Sequence, residues 1–224
     1  MDYDEENAES CKVVLLGESG VGKTSIISQF VNKTFNQEEM STTGATFASK
    51  TLYFEQYNKS ICFEIWDTAG QEKFKSLTKV FYKDASIVIL VYDITRKESF
   101  EQLKEYWIKE VKEQAPKKIV IGIAANKIDL YEKEVIDEET GRTLAKDIGA
   151  LFASISAKNR DGIEELFFEV GNCYLDPNYL YSDEALEEAE RMKQMKVEAT
   201  KIEENKEEGN NKGKTKIKNK KKCC

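Results

Sequence analysis

No stretch of this 224-residue chain is apolar for long enough to cross a bilayer. The longest such run, Ile87 to Val91 with its neighbours, has the length of a buried strand. The start, Met1-Asp2-Tyr3-Asp4-Glu5-Glu6, has neither the basic nor the apolar region of a secretory signal, and it lacks the Met-Gly of a myristoylation site. These absences predict a protein that stays on the cytosolic side of membranes. A disulfide framework is missing as well. Cys11, Cys62 and Cys173 fall singly in predicted strands and a helix, where a reducing compartment leaves them as small buried apolar residues. The body of the chain also lacks a basic face. The formal net charge is −7, yet Lys212 to Lys222 hold seven lysines and no acid, so the remainder carries −14. An acidic body argues against nucleic acid as a partner, whereas the basic tail suits an anionic membrane. Internal repeats are absent too.

What is present centres on Val14 to Thr24, V-L-L-G-E-S-G-V-G-K-T. An apolar run ends in a glycine-rich turn that opens a helix, and Gly17, Gly22, Lys23 and Thr24 fit the phosphate-loop pattern G-x-x-x-x-G-K-[ST]. Polyphosphate needs several backbone N–H groups aimed at one point, so the loop must turn sharply, and glycine permits the torsions required. The helix N-terminus adds donors and a favourable dipole. The pattern assigns nucleotide phosphates to Ser19, Gly20, Val21, Gly22, Lys23, Thr24 and Ser25. Lys23 would serve as the point charge between β- and γ-phosphates and Thr24 as a Mg²⁺ ligand.

Strands are predicted at Lys12–Gly17, Phe47–Glu55, Ile61–Trp66, Ser86–Tyr92, Ile119–Ala125 and Ala150–Ile155. Tyr57-Asn58-Lys59-Ser60 closes a hairpin between the second and third. Helices are expected from Lys23 to about Lys33, from a Thr95–Glu98 capping box to about Gln114, from Asp137 to Gly149, and from a cap at Asp161–Glu164 to about Leu175. This alternation predicts an α/β fold of the P-loop NTPase type, a six-stranded and mostly parallel sheet with helices on both faces. In such sheets ligands bind beyond the carboxyl ends of the strands, where every motif named here falls. The domain is expected to cover residues 11–176, after an acidic extension at 1–10. From Pro177 the composition changes, and Ser182 to Lys206 is nearly all charge; a polar helix there would have little to bury, and 177–224 reads as a disordered tail.

Two further segments carry chemistry. Trp66-Asp67-Thr68-Ala69-Gly70-Gln71 ends a predicted strand. Asp67 can hold Mg²⁺ through water, opposite Thr24, the Gly70 N–H can meet the γ-phosphate, and the Gln71 amide can orient an attacking water. Asn126-Lys127-Ile128-Asp129 and Ser156-Ala157-Lys158 follow two later strands. A carboxylate at Asp129 can accept both the N1–H and the amino group of guanine. Adenine lacks that donor pair, so it would leave a buried charge unmatched. The Lys127 stem can cover one face of the base.

Together G-E-S-G-V-G-K-T, W-D-T-A-G-Q-E, N-K-I-D and S-A-K resemble a small Ras-like GTPase over residues 11–176, with a Ras-like G domain. More narrowly, T-G-A-T-F, F-E-I-W-D-T-A-G-Q-E, L-V-Y-D-I-T and the terminal Cys-Cys are similar to the Rab family, and the T-x-G-A-x-F form to its endosomal branch. The resemblance implies GTP and GDP as ligands with Mg²⁺ as cofactor. It implies Thr42 as the residue that reaches Mg²⁺ and γ-phosphate in the GTP state, Phe35 beside the guanine, and the Ala157 N–H at its O6. Phe47, Trp66 and Phe81 would form the aromatic patch that effectors read, and Cys223 and Cys224 would carry geranylgeranyl groups. Loops at about Thr34–Thr46 and Gly70–Lys79 would order on γ-phosphate and release after hydrolysis.

With no arginine placed to act in cis, turnover should be slow until an activating protein supplies one. The implied partners are an exchange factor, a GTPase-activating protein, a GDP-dissociation inhibitor, a prenylation escort and effectors. The chain would be a monomer on the cytosolic face of endomembranes, with a soluble pool, regulating vesicle traffic. Thr43 stands where the family usually has Ile, Lys73 and Lys75 replace arginine, and Phe81-Tyr82-Lys83-Asp84-Ala85 replaces Y-Y-R-G-A. These departures leave the nucleotide chemistry intact. Intact Thr42 and Gln71 argue against a non-cycling scaffold, and N-K-I-D together with the lack of an arginine-rich lid argues against a P-loop kinase.

Overall fold

The β-branched and aliphatic runs of the chain become six strands, β1 Glu9–Leu16, β2 Thr46–Phe54, β3 Lys59–Asp67, β4 Ile87–Asp93, β5 Val120–Asn126 and β6 Leu151–Ile155. They form one sheet in the order β2-β3-β1-β4-β5-β6 in a computed structural model that describes residues 8–36, 46–67 and 84–181. Only β2 runs antiparallel, against β3; the other neighbours are parallel. From β1 the chain adds β3 on one side and β4 on the other, so the crevice at the carboxyl end of β1 is a topological switch point. The phosphate loop leaves β1 there.

Helices cover both faces at the centre of the sheet, where all seven residues of β4 are buried, whereas β3 buries alternate residues and the edge strand β2 buries only Phe54. Alternation assigns Val88, Leu90 and Tyr92 to one side, with Phe100, Leu103, Trp107, Ile108 and Ala145. Phe100, Ile108 and Ala145 come from α2 Lys97–Gln102, α3 Ile108–Gln114 and α4 Glu138–Ile148, and Leu103 and Trp107 from the segment that joins α2 to α3. On the other side α1 Lys23–Asn32 and α5 Ile163–Leu175 meet through Phe30 and Phe167, stacked at 3.6 Å between centroids, with Phe63 edge-on to both. Cys11 and Cys173 are buried and Cys62 is half-buried. Burial pushes the Cys11 and Cys173 thiols up to about 12, which leaves them inert.

Several local expectations needed correction. β1 begins at Glu9, because Glu9 and Ser10 pair with Ile61 and Cys62 although their side chains are exposed. The capping box at Thr95–Glu98 does not form. Arg96 is the N-cap without a side-chain cap bond, and the Thr95 hydroxyl instead donates to Asp93 Oδ1 at 2.7 Å. The helix does run on to Gln114 as expected, but it carries a π segment, Leu103–Trp107, between α2 and α3. The cap expected at Asp161–Glu164 is Gly162, which makes no side-chain cap bond to α5. Asp137 accepts from the Thr140 N–H and caps α4, and Gly149 ends it in the left-handed region. Asn58 turns the β2–β3 hairpin at φ 50.

The chain divides into two units, Met1–Pro177 and Asn178–Cys224. In the second, the described residues form a single 3-10 turn, Tyr179–Tyr181.

Candidate nucleotide site

Gly17 and Gly22 bend the loop between β1 and α1, at φ 148 and φ 98. A β-carbon at Gly17 would lie 2.2 Å from the Val91 carbonyl oxygen, and one at Gly22 would lie 2.4 Å from Asn126 Nδ2. Glycine is therefore required at both for torsion and for space.

The carbonyls of this loop are claimed one after another by side chains. Lys23 Nζ donates to Gly17 O at 2.8 Å and Glu18 O at 2.9 Å. Arg96 donates to Ser19 O at 2.7 Å, Lys127 Nζ to Gly20 O at 2.8 Å, and Asn126 Nδ2 to Val21 O at 2.7 Å. In a trans peptide the N–H points opposite the carbonyl. Holding Ser19, Gly20 and Val21 by their oxygens thus sends the N–H groups of Gly20, Val21 and Gly22 to the other side of the loop. Such a run of donors is an anion cradle.

Lys23 is buried at the floor of this cradle, 5% exposed. Burial drives its ammonium down from 10.5 to about 8, against the nearby carboxylates of Asp67 and Glu18, which favour the charged form. An anion in the loop would supply the missing counter-charge. At the mouth the Thr24 hydroxyl donates to Asp67 Oδ2 at 2.6 Å, which brings two hard oxygen donors from different elements together. That donor set fits Mg²⁺.

The ends of β5 and β6 build the neighbouring pocket. Asn126 is buried, and its Oδ1 accepts from the Ala157 N–H at 3.1 Å while its Nδ2 holds the phosphate loop. Lys127 adopts φ 72, and its Nζ bridges Gly20 O and Asp93 Oδ2, the latter at 2.7 Å. Burial pushes the Asp93 carboxyl up, but bonds from Lys127 and Thr95 outweigh it and hold it below the usual range. Asp129 is anchored by the Ser156 hydroxyl at 2.7 Å and faces Lys158 Nζ at 3.8 Å. Gln29 of α1 reaches across to Ala157 O at 2.7 Å and ties the two halves of the site.

Residues 12–175 match the sequence model of the Ras family. The chain is 43% identical to Ras-related protein Rab-22A of Homo sapiens over 159 residues, covering 71% of this chain and 80% of that protein. It is 46% identical to Ras-related protein Rab-31 of Rattus norvegicus over 156 residues, 70% of this chain and 78% of that one. It is 45% identical to GTP-binding protein ypt5 of Schizosaccharomyces pombe over 157 residues, 70% and 74% of the two lengths. The chain belongs to the Ras family, in its Rab branch. It is a small GTPase.

In this Rab GTPase the structure gathers Ser19 to Thr24, Asp67, Asn126, Lys127, Asp129, Ser156, Ala157 and Lys158 at one end of the sheet. Ser25 lies in the first turn of α1. Phe35 stands outside the hydrogen-bonded constellation, in the coil after α1 with an exposed ring. Phe47 and Trp66 meet edge-to-face at 5.4 Å across β2 and β3, and Phe47 is 54% exposed. Thr42, Gly70, Gln71, Phe81, Cys223 and Cys224 lie outside the described residues, as do most of the two expected switch loops. Arg96, Asp93 and Gln29 were not singled out from sequence. The available signal for Arg96 and Asp93 was their place just after a buried strand, at the same sheet end as the motifs.

Proposed function

We propose that this Rab GTPase is a membrane-anchored switch that directs vesicle traffic at endosomal membranes. The observation that carries the nucleotide part is the seating of Asn126 and Lys127 on the phosphate-loop carbonyls of Val21 and Gly20. It supports a reading in which Asp129, two residues on from Lys127, selects guanine beside the polyphosphate cradle. Ser19 to Ser25 and Gly70 bind phosphates. Phe35, Asn126, Lys127, Asp129, Ser156, Ala157 and Lys158 bind the base. Thr24, Asp67 and, in the GTP state, Thr42 hold Mg²⁺, which when bound neutralises charge on the phosphates.

Gln71 orients the attacking water, and an activating protein supplies a catalytic arginine in trans, adding about 10³–10⁵-fold to the rate. Cys223 and Cys224 carry two geranylgeranyl chains, and two lipids give the stable anchoring that one does not. The seven lysines before them add attraction to anionic leaflets. An exchange factor, a GDP-dissociation inhibitor and a prenylation escort serve the cycle, and effectors read Phe47, Trp66 and Phe81.

The test is to identify the nucleotide released from purified, denatured protein and to follow GTP hydrolysis over hours in Mg²⁺. Guanine nucleotide with slow turnover supports the reading; adenine nucleotide, or no affinity for GTP, sinks it. Gln71→Leu is expected to trap the GTP form. Activator-stimulated hydrolysis at the normal rate in that variant would remove Gln71 from its role.

A further inference from the structure

The turn after β4 is built more rigidly than a connector needs. Asp93 Oδ1 accepts from the Thr95 N–H at 2.9 Å and from the Thr95 hydroxyl, and the Arg96 N–H donates to Asp93 O at 3.0 Å. The buried Ser99 hydroxyl lies 2.7 Å from Arg96 O and 3.2 Å from Asp93 O, and the Asp93 N–H donates back to it at 3.1 Å. Out of this turn the Arg96 guanidinium reaches 77 residues back along the chain to Ser19 O, at 2.7 Å. A β-carbon at Gly20 would lie 3.7 Å from its other terminal nitrogen, so the cation covers the Ser19–Gly20 peptide.

That peptide is the weak point of the cradle. Gly20 sits at φ 75 without a side chain to hinder rotation, so little in the loop itself resists a flip. A flip would turn the Gly20 N–H away from a bound phosphate and present a carbonyl oxygen in its place. Lys127 and Asn126 secure the next two peptides, and Lys23 the two before. At Ser19 the anchor is Arg96.

We propose that Arg96 is a positioning residue for nucleotide retention: by holding the Ser19 carbonyl it keeps the Gly20 N–H directed at the phosphates and slows nucleotide release. The proposal rests on the guanine-nucleotide reading above. Its action is through the loop backbone, so its loss should appear in the rate at which GDP leaves rather than in the choice of base.

The experiment loads the full-length protein with fluorescently labelled GDP in Mg²⁺ and follows release into excess unlabelled GDP. Arg96→Ala, which removes a charge-assisted hydrogen bond, is expected to release GDP about tenfold faster. Arg96→Lys keeps a cationic donor for this single contact and is expected to restore most of the retention. Unchanged release in Arg96→Ala would overturn the proposal. Equally fast release from both variants would overturn it too, because a packing defect rather than a lost donor would then be the cause. If the wild type takes up no GDP, the guanine-nucleotide reading itself fails and the proposal falls with it; uptake by wild type with no difference between variants isolates the failure to Arg96.

Discussion

The two ends of the sheet are built on opposite principles. At the carboxyl end the buried polar residues are Lys23, Gln29, Asp67, Asp93, Ser99, Asn126 and Ser156. Each is part of the candidate nucleotide site or bonded to one of its residues, and among the described residues these are the polar side chains that the fold buries. At the amino end polar contacts are made in solvent. Lys59 faces Glu9 at 3.7 Å with both side chains about half exposed, Tyr174 donates to Glu9 at 2.7 Å, and Ser10 donates to Glu64 at 2.6 Å. Burying a polar group costs about 1–3 kcal/mol unless a partner replaces water, so a network such as that around Asn126 must be nearly complete to exist. An exposed pair is worth about 0–1 kcal/mol and can be incomplete without penalty. The fold spends desolvation where a ligand returns it and avoids it elsewhere.

Breaking the buried end should therefore cost most. Asn126→Ala strands the Val21 carbonyl and the Ala157 N–H, and is expected to weaken GDP binding by about 2–4 kcal/mol. The ratio of GDP dissociation constants measures it, and an effect below about tenfold would show that the two halves of the site are held by something else.

Titration gives a smaller effect. Burial lowers Lys23 from 10.5 to about 8, so below pH 8 the nucleotide-free fold carries the penalty of a charged, buried ammonium. That penalty is relieved as pH rises from 8 towards 10.5, and the empty protein gains relative stability there. Phosphate needs the charged form, so GDP affinity is expected to hold up to about pH 8 and then fall, by at most about tenfold per pH unit. Calorimetric titrations at neutral and alkaline pH check the direction; affinity that rises above pH 8 would reverse the argument. The least effect belongs to the exposed end. Lys59→Ala is expected to change stability by at most about 0.5 kcal/mol and GDP affinity not at all, read as melting temperature and dissociation constant.

How much of this was legible beforehand varied with the kind of signal. The strands and helices with a strong apolar period or a glycine stop were found within a few residues, α4 with its Asp137 cap and Gly149 stop most closely. Glu9 and Ser10 escaped because a strand end with exposed side chains has no apolar pattern; its pairing with Ile61 and Cys62 is a backbone matter. Thr95 misled because Asp93, two residues away, competes for the same hydroxyl. The π segment was invisible because the buried positions Phe100, Leu103, Trp107 and Val111 keep a helical spacing across it.

By itself the sequence determined the chemistry available. A glycine-rich loop with Lys23 and Thr24, an Asp at one strand end and N-K-I-D at another can be read as phosphate, metal and base ligands, because each motif is local and its residue types suit one task. Tertiary structure decided how those pieces brace one another. Arg96 on Ser19, Asn126 on Val21 and Gln29 on Ala157 join residues separated by 77, 105 and 128 positions. Such contacts leave no periodic trace along the chain. They exist because parallel strands on either side of β1 end at the same level, and only the folded sheet brings those ends together.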